Sequence, residues 1–579
     1  MKQLLSGNEA IAQGAWEAGC TVGVAYPGTP STETMEAFAT KEGVYAEWCT
    51  NEKVAAEVGV GASAASARVL VTMKHVGVNV AADPLFTAAY TGVGGGLVVL
   101  AADDPGMYSS QNEQDSRYYA QATKIPMLEP SDSAEALAFA REAFSLSEQF
   151  DVPVFLRSTV RISHTRTPVE VGERDQIVRK EYESSPAKWV MMPAFAKGRR
   201  KVQIERVSQL TQWAGSCPFN RIERRSSRMG VICSGAVYQH VRDALPDASV
   251  LKLGVTWPLS PELLLRFANS VESCYVVEEG STYLSSAVRA AGVTPDNPPH
   301  PLPEDGEISP GLIRQAFGQA TPPHADAAAD LPARPPALCP GCPHRLVFRE
   351  LSRARAIVTG DIGCYTLGAL PPLSAMDTCL DMGASISMAH GMQLGFGEAE
   401  HRPIAAVIGD STFGHSGLSS LVSTVYNQGN GVVCILDNRT TAMTGRQGNP
   451  FNGVTLQNRP SREMNIEAIV AALGVEDIRT VNPHNALEVR TALKEAFASP
   501  ELTVLVFRAP CVLLERASKA PYAVSAKCTG CGVCATLGCP AIARDPEMGL
   551  ASIDQTLCIG CGQCAQYCGF GAIVSEGSR

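Results

Sequence analysis

At 579 residues the chain is long enough for roughly four domains of about 150 residues each. Its net charge of −10 argues against a general nucleic-acid binder. No apolar run approaches the roughly 20 residues that span a bilayer, and the N-terminus lacks an export-type apolar segment, so the expectation is a soluble cytoplasmic protein.

Residues 1–185 alternate strand and helix patterns. Apolar runs predict strands at Thr21–Tyr26, Arg68–Met73, Leu97–Ala101 and Val152–Leu156. Helical spacing runs through Ala134–Gln149, where Leu137, Ala140 and Phe144 share a face. Two loops at strand ends are unusually polar: Tyr26 to Thr32 (YPGTPST) and Trp48 to Lys53. Glu52 opens a helix that runs to about Ala67, capped by Thr50 or Asn51. Taken alone, Glu52 reads as an acid favoured at a helix N-terminus by the macrodipole.

Residues 186–320 begin with a basic cluster that includes Lys197, Arg199, Arg200, Lys201 and Arg206. A solvated connector face is the expectation, with an acidic partner or coenzyme A phosphates as the alternative. An α/β pattern then restarts as a Rossmann-like middle domain, with a strand at Gly230–Cys233, a helix at Ala236–Ala244 and a strand at Cys274–Glu278. Residues 321–337, rich in Pro and Ala, read as a linker.

Residues 338–517 form the third α/β region. Its centre is Pro403 to Asn438: an apolar strand (Ile404–Ile408), Gly409-Asp410-Ser411, a helical pattern from about Ser416 to Asn427, and a second apolar strand (Val432–Leu436) ending at Asp437-Asn438. In an open parallel sheet, ligands bind at the carboxyl ends of strands. Gly409 lets a diphosphate approach the backbone. Asp410 and Asn438 offer hard oxygens suited to Mg²⁺ carrying phosphate. Gly-Asp followed 28 residues later by Asn resembles the thiamine diphosphate motif, with Ser411 where Gly is usual. An ordinary strand–helix–strand turn is the alternative.

Residues 518–579 carry eight of the 19 cysteines. Cys528, Cys531, Cys534 and Cys539 form one four-Cys run, and Cys558, Cys561, Cys564 and Cys568 the other. This is the bacterial ferredoxin pattern for two 4Fe–4S clusters, in which the last Cys of each run ligates the other cluster. One cluster therefore takes Cys528, Cys531, Cys534 and Cys568, the other Cys558, Cys561, Cys564 and Cys539. Zinc is the competing metal. Disulfides are disfavoured in a large cytoplasmic chain.

With both kinds of motif on one chain, the sequence resembles the 2-oxoacid:ferredoxin oxidoreductase family, most closely its indolepyruvate-type alpha subunits. Carrying the resemblance are YPGTPST (26–32), EWCTNEKVA (47–55), MKHVGVNVAADP (73–84), ADDPGMYSSQNEQDSRYYA (102–120), CPGCPHR (339–345), GDIGCYTLG (360–368), GDSTFGHSG (409–417) and LDNRTTAMTG (436–445). It implies a multidomain α/β chain. Residues 1–185 would bind the cofactor's pyrimidine and 186–320 would be a connector plus a transketolase C-terminal-like domain. Residues 338–517 would bind the diphosphate and 518–579 would be ferredoxin-like, with the site formed between the two cofactor-binding domains.

The resemblance also gives roles. Glu52 stands where the family hydrogen-bonds the aminopyrimidine, and Thr29 lies in the loop that approaches the substrate carboxylate. Gly409 and Ser411 would contact the cofactor. Asp410, Asn438 and the carbonyl of Thr440 would hold Mg²⁺. His415 would handle substrate or protons, or be structural. Gly414, where the family commonly has an aromatic residue, implies a larger pocket or another acyl preference. Cys339, Cys342, Cys364 and Cys511 match the ligands of a third, proximal 4Fe–4S cluster, with inert buried thiols as the alternative. Cys20, Cys49, Cys217, Cys233, Cys274, Cys379 and Cys434 read as packing residues.

The implied reaction is oxidative decarboxylation of aryl 2-oxoacids with coenzyme A, electrons passing through the clusters to ferredoxin, and a small beta subunit is the implied partner. The alternatives are the same chemistry on pyruvate or a branched 2-oxoacid, a non-oxidative decarboxylase, and an electron-carrier subunit without its own catalysis.

Overall fold

The structure is a computed structural model that describes residues 1–176, 184–321, 335–397, 401–514 and 519–578. Most of the expected linker lies outside the described residues. The chain divides into two units, residues 1–327 and 328–579. No helix among the described residues is long and apolar enough to cross a membrane.

The first unit is built on a seven-stranded sheet. From edge to edge its order is Val255–Trp257, Met127–Leu128, Val154–Thr159, Leu97–Asp103, Val69–Lys74, Val22–Ala25 and Tyr45–Trp48. All neighbours are parallel except the Val255–Trp257 edge. The strands Val69–Lys74, Leu97–Asp103 and Val154–Thr159 are buried throughout. That explains why they read as continuous apolar runs rather than alternating ones. The edge strand comes from the middle region, so that region completes the first sheet as well as forming its own. Its own sheet has the order Ser273–Val276, Met229–Ser234, Ser249–Leu253 and Arg221–Glu223.

The basic cluster is only partly a solvated face. It lies mostly on the helix Pro193–Ala214, which docks on the first sheet's layer. Arg199 and Arg206 turn inward to Asp151 at 2.9 and 3.1 Å, joined by Lys188 at 2.8 Å. Arg199 also donates to the carbonyls of Tyr90 and Thr91, and Arg206 to that of Ala89. Those are orphan acceptors at the end of the helix Ala82–Thr91, so the cations cap its negative end.

The second unit holds a six-stranded, all-parallel sheet. Its order is Thr378–Cys379, Ile357–Gly360, Ile404–Gly409, Val432–Asp437, Thr503–Arg508 and Asp477–Val481. After Ile357–Gly360 the chain first adds a strand on one side and then crosses to the other. The strand order thus reverses between Ile357–Gly360 and Ile404–Gly409, which is where an open parallel sheet binds ligands. The tail forms two antiparallel pairs, Tyr522–Val524 with Ile573–Ser575 and Ile542–Arg544 with Ala551–Ile553. Its small core, Cys534, Leu537, Cys564 and Ile573, packs on Leu346 and Ala486 of the same unit.

Candidate functional site

In the first unit the polar groups gather at the carboxyl edge of the sheet. Glu52 opens the helix Glu52–Ala64, and the side chain of its N-cap Asn51 accepts from Val54 N at 2.9 Å. A helix-opening acid held only by the macrodipole would stand in solvent, whereas Glu52 is 5% exposed. Its carboxyl lies against Gly77, where an added Cβ would come within 2.6 Å of Glu52 Cγ and 2.7 Å of Oε1. Gly77, lacking a side chain, thus leaves the room this carboxylate occupies, a contact that local sequence does not reveal.

The Tyr26–Thr32 loop follows the strand Val22–Ala25. Thr29 is half-buried, and its carbonyl accepts from Ser109 Oγ at 3.5 Å. Lys74, at the end of its strand, packs against Gly28 and donates to the Ser109 carbonyl at 2.6 Å. It is buried, and no carboxylate lies within 4 Å of its ammonium among the described residues. Burial therefore pulls its pKa down to about 8, with Asp104 opposing. His75 beside it is buried, and its Nε2 faces the Asn112 carbonyl at 3.2 Å. Burial lowers its pKa, which keeps the ring neutral.

In the second unit Gly409 and Asp410 stand at the reversal point. An added Cβ at Gly409 would lie 2.7 Å from the Tyr365 ring, so the position excludes any side chain. Asp410 is buried; its carboxylate accepts from Ser411 N at 2.8 Å and Asn449 Nδ2 at 3.1 Å. Burial, and then the nearby Asp437, raise its pKa. Asp437 is neutralised by Arg508 at 2.6 Å, whereas no cation lies within 4 Å of Asp410 among the described residues. A divalent cation would supply that missing charge, and the oxygen donors suit one. Asn438, one strand over, accepts from Thr440 N through Oδ1 at 3.1 Å. Thr441 donates to Ser411 Oγ at 2.8 Å. Position and donor chemistry together fit a metal-bound diphosphate.

Several supports of this site are absent from the motif reading. The Asp361 carboxylate accepts from the amides of Ile362, Gly383 and Ser385 at 2.7–3.0 Å, and so fastens the Met382–Ser385 turn to the reversal point. Burial raises its pKa to about 6. His344 faces Asn438 Nδ2 at 3.5 Å and meets the Tyr365 ring edge-on. Burial drops its pKa to about 4, so it accepts as a neutral ring. His415 is buried within a one-turn π-helix, Phe413–Gly417, and shares a hydrogen bond with Ser416 Oγ. Such turns recur at functional sites. Beside Gly414 the space is closed by Phe451, which an added Cβ would meet at 3.1 Å.

The candidate ligand cysteines fall into three groups of four, all in the second unit. Cys528, Cys531, Cys534 and Cys568 line one cavity. Cys539, Cys558, Cys561 and Cys564 line another, with Pro340 and Gly341 on its wall. Each cavity is thus lined by three cysteines of one run and the last of the other. Cys339 and Cys342, beside the second cavity, are within electrostatic reach of Cys364, and Cys364 and Cys339 of Cys511. Cys511 N donates to the Asn438 carbonyl at 3.0 Å, and its thiol feels Asp410. The third group therefore borders the Asp410 site.

Among the described residues no group of three or more His, Cys, Asp or Glu converges closely enough to hold a single metal ion. The tail thiols surround cavities instead, which suits a cluster better than tetrahedral zinc. Burial pushes Cys342 and Cys564 up to about 12 and Cys364 up to about 11, so these thiols are neutral until a metal displaces their protons. Of the cysteines expected to be packing residues, Cys20, Cys49, Cys217, Cys233, Cys274 and Cys434 are buried, but Cys379 is exposed.

Residues 13–216 match the family model for pyruvate flavodoxin/ferredoxin oxidoreductase, thiamine diphosphate-binding. Residues 361–507 match the thiamine pyrophosphate enzyme C-terminal binding domain, and 551–574 the 4Fe–4S binding domain. The indolepyruvate oxidoreductase subunit IorA of Methanothermobacter marburgensis is 41% identical, with 99% of this chain and 97% of that protein aligned. The protein of that name from Pyrococcus abyssi is 40% identical over 99% and 97% of the two chains, and that from Archaeoglobus fulgidus 39% over 98% and 96%. The chain belongs to the indolepyruvate oxidoreductase IorA family: it is an oxidoreductase subunit built for thiamine diphosphate and iron–sulfur clusters.

Proposed function

We propose that the chain is the catalytic alpha subunit of an enzyme that oxidatively decarboxylates aryl 2-oxoacids of the indolepyruvate type. Coenzyme A takes the acyl group, and the electrons leave through clusters to ferredoxin. When bound, thiamine diphosphate supplies the carbanion-stabilising chemistry that lets the carbon–carbon bond break. This chain's own residues hold and protonate. Glu52, kept dry by its burial, would hold a proton at the ring nitrogen of the aminopyrimidine. Asp410, Asn438 and the Thr440 carbonyl would hold Mg²⁺, with Gly409 and Ser411 against the diphosphate. Thr29 would orient the substrate carboxylate, and His415 is the nearest imidazole to Asp410 in sequence for substrate or proton handling.

The observation that carries the oxidative reading is the third thiol group beside the Asp410 site. A plain decarboxylase has no use for electron acceptors there. We assign Cys339, Cys342, Cys364 and Cys511 to a proximal 4Fe–4S cluster. The next cluster would sit on Cys539, Cys558, Cys561 and Cys564, in the cavity that Gly341 borders, and the outermost on Cys528, Cys531, Cys534 and Cys568. A small beta subunit would complete the enzyme, in the cytoplasm. The test is anaerobic co-purification with that partner, then a panel of 2-oxoacids with coenzyme A and viologen reduction. Aryl pyruvates should lead. A lead for pyruvate or a branched acid would overturn the substrate class, and aldehyde release without dye reduction would overturn the oxidative reading.

A further inference from the structure

The buried cations divide by what they face. Arg157 reaches Asp103 and Glu129, Arg117 reaches Asp115, Arg206 reaches Asp151, and Lys252 reaches Glu135. Arg345, 2% exposed, reaches no carboxylate within 4 Å among the described residues. Its fork is spent on main-chain carbonyls. Nε donates to Cys339 O at 3.2 Å, and Nη2 to Leu338 O and, at 3.1 Å, to Cys339 O. Nη1 donates to Leu537 O at 2.9 Å and Gly538 O at 2.6 Å.

Carbonyls satisfy its hydrogens but do not cancel its charge. A buried charge without a counter-ion is costly, so it is retained where an anion completes the site. The ionisable groups that act most strongly on this guanidinium are four thiols: Cys539, Cys342, Cys339 and Cys561. They come from two ligand groups, and the bonded carbonyls belong to Cys339 in one group and to the neighbour of Cys539 in the other. None of Cys528, Cys531, Cys534 and Cys568, which line the first cavity, is among these four.

We propose that Arg345 is the shared counter-charge of the two inner clusters and holds their reduction potentials above the values they would have without it. The inference rests on the cluster assignment proposed above. A cluster carried by four thiolates is anionic, and taking one electron adds a further negative charge. A guanidinium does not lose its proton at working pH, so it favours the reduced form of each cluster it faces. It acts as a positioning and tuning residue, touching ligand backbone rather than substrate.

The test is EPR-monitored redox titration of the anaerobically purified full chain. Iron content is measured first. Wild type near eight iron atoms per chain, two clusters of four, would remove the Cys339 cluster and with it the shared role, overturning the proposal. In Arg345→Met the inner clusters should become at least tenfold harder to reduce, about 59 mV lower for a one-electron couple. The Cys528 cluster should stay within threefold of wild type and serve as the internal control. Arg345→Lys, which keeps the charge, should return most of the shift. Unchanged inner potentials in Arg345→Met, or an equal fall in all clusters, would overturn the proposal. So would loss of iron in both Arg345→Met and Arg345→Gln with retention in Arg345→Lys, since the residue would then serve assembly.

Discussion

Gly77→Ala tests the placement of Glu52, the acid proposed to serve the cofactor, without touching it. The new Cβ would stand 2.6–2.9 Å from Glu52 Cγ, Cδ and Oε1. Comfortable carbon contacts are about 3.5–4.0 Å, so the carboxylate must retreat by about 1 Å. Overpacking of this kind costs about 1–3 kcal/mol of stability. A misplacement of about 1 Å at a reacting group costs on the order of 10²-fold in rate. The assay is anaerobic viologen reduction by a 2-oxoacid with coenzyme A, paired with calorimetry and iron content. Activity should fall about a hundredfold while iron is unchanged. Gly61→Ala is the control on the helix that Glu52 opens. Nothing lies within 4 Å of its added Cβ, so activity should hold and stability should rise by up to about 1 kcal/mol. Gly77→Ala with activity within threefold of wild type would refute the reasoning.

Glu52→Gln should largely abolish dye reduction while leaving iron content intact, and normal turnover would mean that the acid is misplaced. Lys74 makes a prediction about pH. Its folded pKa of about 8 lies below its usual 10.5, so between those values the unfolded chain binds the extra proton. Stability should therefore rise with pH across that window, by no more than about 3 kcal/mol. Lys74→Met should flatten the rise in urea titrations and raise stability at pH 7; an unchanged pH profile would contradict the burial argument. Asp151→Ala strands the buried Arg206 and should cost up to about 3 kcal/mol, read as a lower denaturation midpoint, with no change in iron content.

The eight tail cysteines stand out in the sequence because cluster ligation is a matter of local spacing, and each of the two cavities is lined by three cysteines of one run and the last of the other. The strands were legible because full burial leaves unbroken apolar runs. Long-range packing was not. Val255–Trp257 has an ordinary strand composition, and nothing local says that it pairs with Met127–Leu128. Gly77 meets Glu52 across 25 positions, and the residue between Val76 and Val78 reads as any glycine. The basic cluster misled because charge alone does not tell which side of a helix faces Asp151. The helical run after Gly409 starts at Asp410 rather than near Ser416, because a short turn and the Phe413–Gly417 π-helix carry the polar residues that masked the apolar period.

The most direct test of the account is one turnover watched at the iron. The anaerobically reconstituted enzyme, with its partner subunit, thiamine diphosphate and Mg²⁺, is mixed with indolepyruvate and coenzyme A and freeze-quenched for EPR. Signals of reduced 4Fe–4S clusters should grow as CO₂ is released. Release of CO₂ with every cluster still oxidised would contradict it.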